Sequence, residues 1–188
     1  MPYFESLKNA KGIVDVFMNR PSKYSVALTL AQEILREESH LSPLDRELIA
    51  AYTSYLNNCS YCHGSHKEFC ISIGATQEDL AIFSDEHNHR LSPILKFVKV
   101  LTISPSFVNQ ELKDEVINAG FTEEELKDAI AVCAAFNFYN RIVEGHGIEE
   151  NANTWKQAAD MINRFGYDRR YTNSYDTYIE NMGGKGLS

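Results

Sequence analysis

Residues 57–66 read NNCSYCHGSH, which puts two cysteines and two histidines close enough to share one chemical task. Cys59 and Cys62 form C-x-x-C. His63 extends this to C-x-x-C-H, and His66 stands four residues beyond Cys62. Three chemistries use such spacings: a redox dithiol, a c-type haem attachment, and zinc held by both thiolates and a histidine. Haem attachment needs an export route and a second axial ligand, and neither is visible. A structural zinc site needs a fourth ligand. Cys70 lies two helical turns past Cys62, too far along the axis, and Cys133 sits in the apolar run AIAVCAAF. A redox dithiol is the leading reading, with no cofactor and no metal expected. A zinc-holding helical scaffold is the alternative, and a redox sensor without turnover would use the same residues.

Placed on one helix over 59–73, Cys59, Cys62, His63, His66, Phe69, Cys70 and Ile73 fall on a single face. Both thiols then stand at the helix N-terminus, where unpaired N–H groups and the helix dipole favour a thiolate. By position alone, Cys59 should be the more acidic. His63 and His66 are each one turn after a cysteine, and spacing does not choose between them. Glu47 borders the apolar stripe Leu44, Leu48, Tyr52, Tyr55 and Leu56 of the preceding helix. On spacing alone it reads more readily as a solvated acid in a first turn than as a catalytic group.

The elements that must carry these residues are helical. Ser42-Pro43 with Asp45, Thr76 with Asp79, Ser92-Pro93, and Thr122 with Glu125 read as helix starts. Gly74 and Gly120 read as stops. A helix is expected over 26–36, and others over 109–119, 122–145 and 154–165. Residues 1–22 are mixed, with Pro21 in a connection. GATQEDL and GFTEEEL share a Gly stop, a Thr cap and an acidic first turn. No run alternates with period two. The expectation is one all-α domain over residues 1–188, with a Tyr-rich C-terminal tail from about 167.

The chain has 188 residues, enough for one core, and a formal net charge of -8 with no block of Lys and Arg. That balance argues against a nucleic-acid partner. The opening residues hold no apolar run long enough for a signal-peptide core, and no later run approaches a membrane span. A cytoplasmic location is expected, and with it reduced thiols rather than a disulfide framework.

Glu47, Cys59, Tyr61, Cys62 and His66 together give E-x11-C-x-Y-C-x3-H. This resembles the carboxymuconolactone decarboxylase superfamily, in its alkyl hydroperoxidase D-like branch of peroxidase-related proteins. The likeness covers about residues 41–73. A second likeness, over 128–147, lies in the D-A-x-x-V and F-N-x-x-N-R patterns of DAIAVCAAFNFYNRIVEGHG. The resemblance implies an all-α fold assembling into dimers, trimers or hexamers, and thiol-dependent reduction of hydroperoxides at the expense of a dithiol electron donor. It assigns attack to Cys62, resolution to Cys59, and a proton relay to Glu47 and His66, with Tyr61 a packing residue. Decarboxylation is not expected, since true carboxymuconolactone decarboxylases lack the dithiol. His63, directly after Cys62, is a competitor for the relay. The tail tyrosines Tyr167, Tyr171, Tyr175 and Tyr178 are expected at a homo-oligomer interface, where Tyr offers a large contact area with a polar tip.

Overall fold

The computed structural model describes residues 1–84 and 89–168. These form ten α-helices: α1 (Ile13–Asn19), α2 (Pro21–Tyr24), α3 (Ala27–Leu35), α4 (Pro43–Leu56), α5 (Ser60–Ser72), α6 (Gln77–Leu80), α7 (Ser92–Ile103), α8 (Gln110–Asn118), α9 (Glu123–His146) and α10 (Ala152–Phe165). There is no strand among the described residues. None of their helices is long and apolar enough to cross a membrane. The all-α expectation holds. The mixed N-terminal stretch is more ordered than its sequence suggests: it holds α1, and Pro21 opens α2 rather than lying in a connection.

Local chemistry sets the helix ends. Ser42 Oγ accepts the Asp45 N–H at 3.1 Å while the Asp45 carboxylate accepts the Ser42 N–H at 3.3 Å, with Pro43 in the first turn. The same reciprocal box opens α6 at Thr76 and Asp79, and α9 at Thr122 and Glu125. α5 and α8 stop just before Gly74 and Gly120, whose φ of 98° and 100° suit glycine.

α4 is the hub. It packs against α5, α9, α7 and α3. Every side chain from Asp45 to Ser54 is buried, so the helix has no solvent face over those turns. The expected stripe was too narrow, and Tyr55, assigned to it, is instead 43% exposed. Leu48, Ile49 and Tyr52 of α4 meet Leu95 and Val98 of α7 and Val132 and Phe136 of α9 in the main core.

The second sequence motif, on α9, holds both ends of α4. Asp128 Oδ2 accepts from Ser39 Oγ at 2.7 Å and from the His40 N–H at 2.9 Å, fixing the α3–α4 connection. At the other end, Asn57 Nδ2 donates to Asn137 Oδ1 at 3.1 Å and Asn140 Oδ1 at 2.9 Å, and Asn140 Nδ2 donates to Ser54 Oγ at 2.9 Å. This clamps a tight turn in which Asn58 takes φ 54°, a left-handed conformation that Asn tolerates. The Cys59 N–H returns to the Ser54 carbonyl at 3.0 Å and closes α4.

Asn140 is 1% exposed and bridges two helices. Replacing it with Ala strips partners from Asn57 and Ser54 in a dry site. Asn140→Ala should lose about 1–3 kcal/mol of stability, the usual cost of stranding buried polar groups. Urea unfolding checks this, and an unchanged midpoint would show that the clamp holds nothing.

Candidate functional site: a buried carboxylate beside a thiol pair

Helix α5 begins one residue later than its sequence suggests. Cys59 is the N-cap residue, with extended backbone (φ -86°, ψ 92°), and Ser60 starts the helix. Cys62, Ser65, His66, Phe69 and Cys70 form the buried face of α5. Cys59 and Cys62 are free thiols, 0% and 3% exposed, in a small second core with Leu7, Val16, Val143 and Ile148. Tyr61 docks this turn onto α1: its hydroxyl accepts the Ile13 N–H at 3.2 Å. The packing role expected for Tyr61 is what its surroundings support.

The start of α5 does not make Cys59 acidic. Cys59 is pushed far above the ordinary thiol range by its hydrogen bond to the Cys62 sulfur, then by burial and the electrostatic proximity of Cys62. A depressed Cys59 pKa, as its place at the helix start alone would suggest, is not what its surroundings favour. At the N-cap, in an apolar pocket, desolvation and a neighbouring sulfur outweigh the dipole. Cys59 is thereby held in its protonated form.

Glu47 is not a solvated acid. It is 0% exposed, in the middle of α4. Oε2 accepts from His66 Nδ1 at 2.6 Å. Oε1 accepts from Arg36 Nη1 at 2.6 Å and from the Tyr167 hydroxyl at 2.7 Å. Burial alone would raise its pKa, but His66, Arg36 and Tyr167 together hold the carboxyl below the usual range. Arg36 is held charged against burial by the same carboxylate, and the Tyr167 phenol is pushed well above its ordinary value by burial and by Glu47.

The structure separates the two histidines. His66 faces Glu47 and is walled by the rings of Phe136 and Phe69, with centroids at 4.5 and 4.9 Å, and by Tyr167, nearly parallel at 6.3 Å. His63 turns the other way, donating from Nδ1 to the Ala51 carbonyl at 3.1 Å, with its ring between Tyr55 and Phe83. The remaining cysteines are occupied elsewhere. Burial, then Glu47, pushes Cys70 upward. Cys133 sits in the core, 3.3 Å from Thr102 Oγ1.

Cys62 and His66 line one cavity of about 350 Å³ whose other walls are mostly apolar, including Phe17, Leu35, Phe136 and Met161. α10 forms one side. Its Trp155 ring lies directly on Gly64 of α5, where a Cβ would overlap the indole. Among the described residues, no three His, Cys, Asp or Glu side chains stand together as a metal would require.

Reading the sequence by spacing missed Arg36 and Tyr167. Arg36 follows the last turn of α3, and nothing local marks it. Tyr167 was expected at a subunit interface, but its ring and hydroxyl are committed to Arg36, His66 and Glu47 of its own chain. Tyr171, Tyr175 and Tyr178 lie outside the described residues.

Glu47 titrates lower in the folded chain than in the unfolded one. Its stabilisation is present above the unfolded Glu range, about pH 4.3, and is lost as pH falls through the lower folded value. Glu47→Gln should cost about 3–5 kcal/mol at neutral pH, because it leaves Arg36 buried and unpaired. It should also lose less stability than the wild type on acidification. Urea midpoints measured from neutral pH downward test both, and parallel curves would refute the linkage. Trp155 is the sole tryptophan. Gly64→Ala should displace it, shifting its emission to the red and destabilising the chain by about 1–3 kcal/mol through overpacking. An unchanged spectrum and midpoint would show that α10 can yield without loss.

Residues 24–85 match the model of the carboxymuconolactone decarboxylase family. No protein of curated function matches the chain. Among solved structures, a peroxidase-related protein from Silicibacter sp. TM1040 superposes with a TM-score of 0.65 at 22% identity, covering 80% of this chain and 84% of that one. A peroxidase-related protein from Ralstonia eutropha JMP134, described as an alkylhydroperoxidase AhpD core, gives a TM-score of 0.68 at 21% identity, covering 76% and 78%. At these identities the likeness is one of fold. The chain is thus similar to the carboxymuconolactone decarboxylase family over residues 24–85, and it shares the fold of these peroxidase-related, AhpD-core proteins over most of its length.

Proposed function

We propose that this protein is a thiol-dependent hydroperoxide reductase working through the Cys59–Cys62 pair. The observation that carries the reading is that Cys62 and His66, one turn apart, open onto the same apolar cavity, while His66 is tied from behind to a buried carboxylate. A nucleophile, a base and a group that orients the base are the parts such chemistry needs.

In the proposed cycle His66 takes the Cys62 proton. The Cys62 sulfur attacks one peroxide oxygen, the O–O bond breaks, and the departing alkoxide takes the proton back from His66 as an alcohol. Cys62 is left as a sulfenic acid. The Cys59 sulfur then attacks the Cys62 sulfur, the S–O bond breaks, and the hydroxyl leaves as water with the Cys59 proton. The sum is one hydroperoxide and two thiols going to one alcohol, one water and one disulfide. An external dithiol, exchanging with that disulfide, restores both thiols. Before attack, the Cys59 thiol lies within hydrogen-bonding reach of the Cys62 sulfur.

Glu47 has a narrower part here than in a relay that passes protons through it. Three donors hold it as a carboxylate, so it orients His66 and stabilises the imidazolium that forms, and stays ionised throughout. The apolar cavity favours a hydroperoxide with an apolar body over hydrogen peroxide.

A short peroxide pulse with a sulfenic-acid trap, read by mass spectrometry, tests the order of attack. Cys59→Ser should consume one equivalent and carry the label on Cys62. Cys62→Ser should react at least about 100-fold more slowly. Cumene hydroperoxide should outpace hydrogen peroxide. Label on Cys59 in Cys62→Ser at the wild-type rate would reverse the roles, and no consumption by the wild type would remove the peroxidase reading.

A further inference from the structure

His66 uses one oxygen of Glu47, and the other oxygen is taken by two residues that neither sequence motif contains. A fully buried glutamate facing a histidine alone has two forms without net charge. In one, the ring is an imidazolium and has no free lone pair. In the other, the glutamic acid donates to Nδ1, and the proton on the ring sits on Nε2. Neither form presents a basic Nε2 to the cavity. Arg36 changes this. With its cation on Oε1 the carboxylate is already matched, so the ring can stay neutral with Nδ1–H on Oε2.

The placement of these two residues is built rather than incidental. Arg36 directly follows α3, whose end is held by Arg46 Nη1 donating to the carbonyls of Ile34 at 3.1 Å and Glu37 at 2.9 Å. Residues 166–168 lie along α3. Gly166 takes φ 75° against the Gln32 side chain, where a Cβ would overlap. The Tyr167 N–H donates to Gln32 Oε1 at 2.8 Å, and Thr29 Oγ1 donates to Asp168 Oδ2 at 2.6 Å. The Tyr167 ring is thereby wedged between the Arg36 guanidinium, 4.9 Å from its centroid, and the His66 ring.

We propose that Arg36 and Tyr167 are positioning residues that fix the charge and tautomer of His66. Arg36 supplies the counter-charge to Glu47, Tyr167 fills the remaining acceptor site on Oε1, and together they leave His66 neutral with Nε2 toward Cys62 and the cavity. The other titratable groups around the ring fit this arrangement. α5 itself brings Cys62 one turn before His66 and Cys70 one turn after, and Lys11, Asp15 and Tyr61 also line the cavity. α9 presents Phe136 and the neutral phenol Tyr139, and α10 presents Trp155 and Met161.

The base role of Nε2 rests on the peroxidase reading, but the tautomer does not. The full chain labelled with ¹⁵N-histidine gives both charge and tautomer from long-range ¹H–¹⁵N correlations near neutral pH, with His66 assigned by its loss in His66→Asn. The wild type should show a neutral ring protonated at Nδ1. Arg36→Met should turn it into imidazolium or move the proton to Nε2, Tyr167→Phe should do so in part, and Arg36→Lys should restore the wild-type signals. In peroxide consumption, Arg36→Met should be slowed about 100-fold at neutral pH and recover as pH rises, with KM little changed. His66 signals that are unchanged in Tyr167→Phe and in Arg36→Met, or no rescue by Arg36→Lys, would overturn the proposal. If Arg36→Met does not fold, Tyr167→Phe decides alone. A wild type that consumes no peroxide removes the peroxidase reading and leaves the NMR outcome to judge this one.

Discussion

A carboxylate with no access to water must be matched by charge and by hydrogen bonds, and most of this structure can be traced to satisfying Glu47. Its three partners come from three separate segments: the residue after α3, the middle of α5, and the stretch beyond α10. A buried ion cluster adds little net stability over an apolar core, because desolvation consumes most of the Coulomb attraction. What it does is forbid alternatives. Any packing that moves α3 away from α4 strands a charge in the interior, and any that moves α5 or the C-terminal segment takes a hydrogen-bond donor from a buried carboxylate.

That requirement explains why α4 is central and why α9 grips it at both ends. A helix bearing a buried charge cannot slide or rotate without breaking the cluster. Asp128 secures the connection entering α4, and Asn137 with Asn140 secures the turn leaving it. The same turn delivers Cys59, so the clamp that registers Glu47 also registers the thiols. A residue missing from the chemistry can thus be essential to where the chemistry happens.

The thiol pair shows which of two effects dominates at a helix start. The dipole and unpaired N–H groups favour an anion at Cys59, but the hydrogen bond with the Cys62 sulfur and then burial oppose it more strongly. Mostly apolar walls surround Cys62 and His66, which lie one helical turn apart on α5. A shared fold alone would not define such a site, because function resides in particular side chains set on the scaffold.

The helix boundaries at Ser42, Thr76 and Thr122, the stops at Gly74 and Gly120, and the shared face of Cys62, His66, Phe69 and Cys70 were legible without coordinates. Each rests on hydrogen bonds or periodicity within a few residues. Spacing also singled out Glu47 as a candidate. It could not say that Glu47 is fully buried, that His66 and not His63 meets it, or that Cys59 holds its proton against the dipole. Nor could it show that Arg36 and Tyr167, 131 positions apart by their numbers, share one carboxylate oxygen. Capping and amphipathicity are written locally in the chain, because the groups that interact are neighbours along it. Burial and the pairing of charges are set by which distant segments exclude water together, and only the assembled tertiary structure decides that.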